Sequence, residues 1–239
     1  MLPFLRTCVF LAAAMLTVPR AAVAVTIWAE TEDAGQALTT AQVPSGSGPL
    51  TTITGALSFT DVDVYQIYIT GGGTFSAVAI PTDILFLDPE LFLFDAQGFG
   101  VYANDNPFGG IGPSAQLPAN HVLTPTTPGL YYLGVSTRFL EPISSSGNIF
   151  PCVGCTPGAV VGPTGPGGGS TLIGWSGMPF GAGAYQLTLT GAEFPPPTSI
   201  PEPGSLFLMS TGLAAFSVAT WRRRQKRQTS SRWCRRTRR

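Results

Sequence analysis

A period of two is the feature that most restricts what this chain can fold into. Tyr185, Leu187 and Leu189 alternate with Gln186, Thr188 and Thr190, and Tyr65, Ile67 and Ile69 alternate with Gln66, Tyr68 and Thr70. Successive side chains of a strand point to opposite faces, so each run offers one face to a core and one to water. Clusters of Gly, Pro, Asn and Asp separate these short stretches, and no apolar repeat of 3.6 runs long enough in the body to compete. The pattern predicts an all-β fold, an antiparallel β-sandwich or jelly roll of about eight strands. Leu91–Phe94 and Tyr131–Val135 are more uniformly apolar. Such runs suit central strands covered on both faces, or strand surfaces that bind something, and burial is the preferred reading.

Formal charge balances at 13 Lys+Arg against 13 Asp+Glu, but the balance is an average over two unlike parts. Between residues 25 and 200 there are 12 acids (Glu30, Glu32, Asp33, Asp61, Asp63, Asp83, Asp88, Glu90, Asp95, Asp105, Glu141, Glu193), one arginine, Arg138, and no lysine, so 1 − 12 = −11. Ten of the other twelve basic residues follow Trp221. A nucleic-acid reader needs basic groups on its folded part, and this body has the opposite sign, so nucleic acid is excluded as a partner.

The two ends read as addresses. Arg6, an apolar run from Cys8 to Val18, Pro19 and the small residues Ala22-Val23-Ala24 form a signal peptide over residues 1–24, with signal peptidase cleaving after Ala24. The apolar run is too short to span a bilayer, which takes about 20 residues. At the other end, residues 194–199 form a Pro-rich spacer behind an acidic β-domain at 25–193. Pro201-Glu202-Pro203 follows, and then residues 205–221 carry no charge. As a helix that stretch is roughly 26 Å long at ~1.5 Å per residue, enough for a short transmembrane span. Arg222, Arg223, Arg224, Lys226 and Arg227 act as a basic stop on the cytoplasmic side, which leaves the body outside the inner membrane.

In that order, Pro-Glu-Pro, apolar helix and arginine cluster over residues 200–227 resemble the PEP-CTERM sorting signal. The resemblance implies an exosortase that recognises and cleaves near the tripeptide in Gram-negative bacteria that make extracellular polysaccharide. A basic tail, residues 228–239 with Trp233 and Cys234, runs on past the usual stop of such signals. An ordinary tail anchor without sorting is the alternative.

The body resembles the bacterial pre-peptidase C-terminal type of β-sandwich, from about Leu50 to Gly191. The matching pieces are Asp61-Val62-Asp63-Val64-Tyr65-Gln66-Ile67, Leu91-Phe92-Leu93-Phe94-Asp95-Ala96-Gln97-Gly98, Asn104-Asp105, Gly129-Leu130-Tyr131-Tyr132-Leu133 and Gly183-Ala184-Tyr185-Gln186-Leu187. Related domains place calcium on acidic residues at loops near such strands, so calcium is the implied cofactor. Asp61 and Asp63 stand two apart and would share a strand face, where a hard cation could neutralise them, and Asp105 with Asn104 offers further oxygens. A solvated strand start and an Asx turn would need no metal. Asp95-Ala96-Gln97-Gly98 reads as a turn.

Glu141 to Met178, rich in Gly and Pro, lengthens the loop before the last strand, and Gly162–Gly167 within it reads as a mobile loop. This segment also holds Cys152 and Cys155, the pair that matters to an exported body, since Cys8 lies in the signal and Cys234 in the tail. A disulfide there adds about 2 kcal/mol. Disulfide or free thiols are favoured over zinc, because one CxxC supplies two ligands and His121 is the only histidine.

An enzyme is a poor match to this sequence. A Ser-His-Asp arrangement would have to use His121, which lies in a Pro- and Ala-rich loop, and no Gly-x-Ser-x-Gly elbow is present. Gly174-Trp175-Ser176-Gly177 only superficially looks like one. The expectation is a non-catalytic cell-surface or matrix protein associated with exopolysaccharide and biofilm. The alternative is a carbohydrate- or peptide-binding module accessory to a secreted enzyme, with Trp28, Tyr102, Phe108, Trp175 and Phe180 as a stacking platform.

Overall fold

The computed structural model describes residues 25–82, 86–106, 112–155 and 158–197. The chain divides into two compact units, Met1–Pro196 and Pro197–Arg239, and only the first contains described secondary structure. The signal segment with Ala22 and Ala24, Pro201-Glu202-Pro203, the helix expected at 205–221, the stop Arg222, Arg223, Arg224, Lys226 and Arg227, and the tail 228–239 lie outside the described residues. Among the described residues no helix is long and apolar enough to cross a membrane, and every regular element is a strand.

The strands, numbered in chain order, form two sheets. One has five strands in the order β1 (Ile27–Ala29), β2 (Thr52–Leu57), β11 (Gly183–Thr190), β4 (Ser76–Pro81), β7 (Ala115–Leu117). The other has seven, with β12 (Ala192–Glu193), β3 (Val62–Ile69), β8 (Gly129–Ser144), β5 (Pro89–Asp95) and β6 (Gly100–Asn104) in that order, and β9 (Gly147–Asn148) and β10 (Gly174–Phe180) pairing with β8. Ile53, Ala77, Ala79, Leu117, Leu187 and Leu189 from the first sheet meet Tyr65, Ile67, Ile69, Leu91, Leu93, Leu133 and Val135 from the second in one shared core. The alternation of β11 is therefore the alternation of core and water: Tyr185, Leu187 and Leu189 are buried and Gln186, Thr188 and Thr190 are exposed.

Twelve described strands replace the eight expected, and the surplus has a physical reason. β9 and β12 have two residues each and β1 three, too short to show any period. β1 also pairs parallel to β2, so the sheets are not purely antiparallel. β10 contains Gly177 and Pro179, which argue against a strand, yet it is an edge strand whose register shifts between Gly177 and Phe180.

The largest departure is the segment between β8 and β10. It is a second layer on the outer face of the seven-stranded sheet rather than a mobile loop. Ile149, Phe150, Val153 and Leu172 are buried with Phe92 and Phe94, and Trp175 packs on both phenylalanines at ring separations of 5.4 and 6.2 Å. Fully burying each side chain of this size contributes roughly 1.5–3 kcal/mol. The glycines are built in: the Gly165 N–H donates to the Ile149 carbonyl at 3.1 Å and the Gly167 N–H to that of Asn148 at 2.8 Å. This layer explains why Leu91–Phe94 is apolar throughout. Leu91 and Leu93 face the shared core, and Phe92 and Phe94 face the second layer.

Candidate functional site

Two groups of acids stand out, and both depend on the seven-stranded sheet. The first gathers where the N-terminal strap crosses β3. Glu30 follows β1 and is tied to β2 by its own N–H, which donates to the Thr54 carbonyl at 2.8 Å. Its carboxylate accepts the Ala34 N–H at Oε1 (2.8 Å) and the Ala56 N–H at Oε2 (3.0 Å). Glu32 takes a left-handed φ of 61°, rare for a residue with a side chain. Its carbonyl accepts from Gln42 Nε2 at 3.1 Å, as does that of Thr31 at 2.6 Å, so the turn carrying Asp33 is pinned to the strap.

Asp63 is fully buried on β3, in phase with Tyr65, Ile67 and Ile69, and so points into the end of the shared core. Tyr185 donates its hydroxyl to Asp63 Oδ2, and the Tyr185 and Tyr65 hydroxyls lie 2.6 Å apart. Asp63 Oδ1 has no partner. Gly55 makes this meeting of groups possible, because a Cβ there would stand 2.6 Å from the Tyr185 hydroxyl, 2.7 Å from that of Tyr65 and 2.7 Å from Glu30 Oε2. Glu30, Asp33 and Asp63 each bring one carboxylate oxygen within 4.8 Å of the others. Burial pushes Asp63 up to about 9, the Tyr185 hydroxyl opposes the rise, and Glu30, Asp61 and Asp33 add to it.

Asp61 lies just before β3 and closes a turn. Its Oδ1 accepts the Val62 N–H at 2.8 Å and its Oδ2 the Ser58 N–H at 3.4 Å. Burial raises its pKa, and Asp33 contributes to the rise. Asp105 is not with Asp61 and Asp63. It belongs to a second group with Asp88, Glu90 and Glu141, on the face of the sheet beneath the second layer. Glu90 and Asp105 are fully buried, Glu141 is 5% exposed, and Arg138 bonds Asp88 at 3.2 Å.

Cys152 and Cys155 are disulfide-bonded, with Cα atoms 5.2 Å apart, and the loop they close lies over the second group. The Val153 N–H donates to Glu141 Oε1 at 2.8 Å, and a Cβ on Gly154 would stand 2.6 Å from Glu90 Oε1.

The remaining expectations separate cleanly. Asp95 caps its turn, accepting the Gln97 and Phe99 N–H groups at Oδ1, both at 2.9 Å. Tyr102 is buried in the core, Trp28 packs edge-on against Tyr65, and Trp175 packs on Phe92 and Phe94 while donating its indole N–H to the Gln36 carbonyl at 2.8 Å. Phe180 is exposed, and Phe108 lies outside the described residues. His121 borders a cavity of about 440 Å³ with Asn104, Gln116 and Asn120, and its Nδ1 accepts the Leu123 N–H at 3.2 Å. Ser176 sits on the edge strand β10, opposite Glu141 in the ladder.

Sequence reasoning missed Glu30, Asp33, Asp88, Glu90 and Glu141. One signal was available for Glu90: it keeps phase with Phe92 and Phe94, a charge in line with a stripe that is otherwise apolar.

Residues 199–224 match the family model of the PEP-CTERM protein-sorting motif. No curated protein matches the chain. The motif supports an exosortase-sorted, exported protein that passes through a membrane-anchored intermediate to the surface. It falls outside the described residues, so the all-β body and the address are separate findings.

Proposed function

We propose that this chain is a non-catalytic surface protein of a Gram-negative envelope, delivered by its sorting tail and associated with exopolysaccharide in the biofilm matrix. Signal peptidase removes residues 1–24, residues 205–221 hold the intermediate in the inner membrane, and an exosortase cuts near Pro201-Glu202-Pro203. The carrying observation is a sorting motif at 199–224 behind a body with 12 acids and one arginine. Such a body is a soluble polyanion that bridges cations to polysaccharide.

The strap group gives that body a calcium site. Glu30, Asp33 and Asp63 offer oxygen ligands alone, the set a hard cation takes, and their 4.8 Å spread suits ligands that each stand about 2.3–2.6 Å from one ion. Mass spectrometry of the protein recovered from its native cell tests the reading. A C-terminus near Pro201-Glu202-Pro203 is expected, and a chain that keeps Trp221 and the arginine cluster would refute it.

A further inference from the structure

The open edge of the sandwich holds a cavity that neither acid group uses. β6 ends one sheet and β7 ends the other, and Asn104 joins them. Its Oδ1 accepts the Gln116 N–H at 2.9 Å, and its Nδ2 donates to the Ala159 carbonyl at 2.9 Å. Ala103 and Val161 exchange both of their backbone hydrogen bonds, each at 2.9 Å, so residues 159–161 wall the outer side of β6. Between that wall, β7 and the loop at 118–121 lies the cavity of about 440 Å³, a volume within the range of small-molecule sites.

The loop is fixed before any ligand arrives. Thr124 Oγ1 accepts the His121 N–H at 3.0 Å and donates to the Pro118 carbonyl at 2.8 Å, and the Asn120 N–H donates to the Gly73 carbonyl at 2.8 Å. Asn120 takes a left-handed φ of 56°, which Asn tolerates better than most residues. These bonds draw on the backbone and the Thr124 hydroxyl. Among the described residues, the side-chain amides of Gln116 and Asn120 make no hydrogen bond. His121 Nδ1 accepts the Leu123 N–H at 3.2 Å, so the neutral ring keeps its proton on Nε2 as a donor. Two amides and one imidazole N–H therefore stand with the apolar Pro118 and Val160 around the same space.

We propose that this cavity binds one residue of a neutral sugar chain, with Gln116, Asn120 and His121 on its hydroxyls and Pro118 and Val160 against its C–H face. A hydroxyl both donates and accepts, as does each amide, and the imidazole adds a donor. An uncharged ligand suits a lining of amide, imidazole and apolar groups, because a buried ion needs a counter-charge. A peptide added along an edge strand binds through a backbone ladder. Here the Gln116 N–H and both backbone groups of Ala103 are already taken, which favours a sugar. This contact rests on the reading that the body meets exopolysaccharide, and it is direct, independent of any bridging cation.

Binding of the full chain, in a detergent without a sugar headgroup, to immobilised exopolysaccharide of its native cell distinguishes direct contact from cation bridging. With chelator present the wild type should still bind, and short oligosaccharides cut from that polymer should displace it. Gln116→Ala with Asn120→Gly should weaken binding roughly tenfold, the effect of losing two ordinary hydrogen bonds. Glycine at 120 accepts the left-handed backbone, and Gln116 is half-buried on an edge strand, so this variant should melt like the wild type. Should its melting temperature fall, Gln116→Ala alone should weaken binding roughly threefold, the effect of one such bond. Binding that chelator abolishes and the variants leave unchanged would overturn the sugar site while sparing the cation-bridged reading. No binding with calcium or with chelator would sink both. A capped tetra-alanine peptide that binds where the oligosaccharides do not would assign the cavity to a peptide instead.

Discussion

The strap group and the loop group lie at the same end of the seven-stranded sheet, on opposite faces. Asp63 pairs with Val135 and Glu90 with the next residue, Ser136, so one strand, β8, separates them. The strap group has spent most of its oxygens: both of Glu30 and both of Asp61 accept backbone N–H groups, and Asp63 keeps one free. The loop group keeps five carboxylate oxygens free and holds the body's only guanidinium. Access differs as well, since Asp33 is exposed and Glu30 half-buried, whereas Glu90 and Asp105 are sealed. Carboxylates at a rim can trade water for a cation, but carboxylates under a lid must be balanced before the lid closes. An ion at the strap should therefore exchange quickly, whereas the acids under the loop are balanced by protons and Arg138.

The most damaging way to break the comparison is to lift the lid. Phe92 anchors the second layer through Phe150 and Trp175, at ring separations of 5.7 and 5.4 Å. Phe92→Ala should lower stability by about 3–5 kcal/mol in denaturant unfolding while leaving calcium binding at the strap group unchanged. A smaller effect with the opposite selectivity is expected at Gly55. Gly55→Ala forces a methyl against the Tyr185 and Tyr65 hydroxyls and Glu30, at a loss of about 1–3 kcal/mol, and should weaken calcium at the strap only. Loss of calcium at the strap in Phe92→Ala would mean that the two groups are not independent.

Much of the fold was legible because its signal is local. The alternation in Tyr185–Thr190, the two-sided burial of Leu91–Phe94 and the Asp95 turn each reside in a few neighbouring residues. The acid groups were not legible, because they are made by distant pieces. Glu30 reaches Asp63 through a strap that pairs parallel with β2, and Glu90 meets Glu141 because β8 runs on past the sandwich and carries a second layer back over it. Asp105 was grouped with Asp61 and Asp63 on chemical likeness, and topology put it on the other face with two strands, β8 and β5, in between. The glycine-rich stretch that looks like slack in sequence is fixed by backbone hydrogen bonds to Asn148 and Ile149, which composition does not reveal.

Both groups make the same demand on pH, and this gives the most direct test of the claim that a cation at the strap stabilises the body. Asp63 has its folded pKa raised from 3.8 to about 9, so the native state keeps a proton that the unfolded chain gives up across that window. Glu141, raised to about 7, and Asp105, raised to about 6, act in the same direction over its lower part. Where the native state binds more protons, stability falls as pH rises. Melting the full chain in detergent with chelator should therefore give a higher Tm near pH 5 than near pH 8, and calcium should raise the Tm much more at the higher pH, where it takes the place of the missing protons. A Tm near pH 8 that is the same with calcium and with chelator would contradict the account.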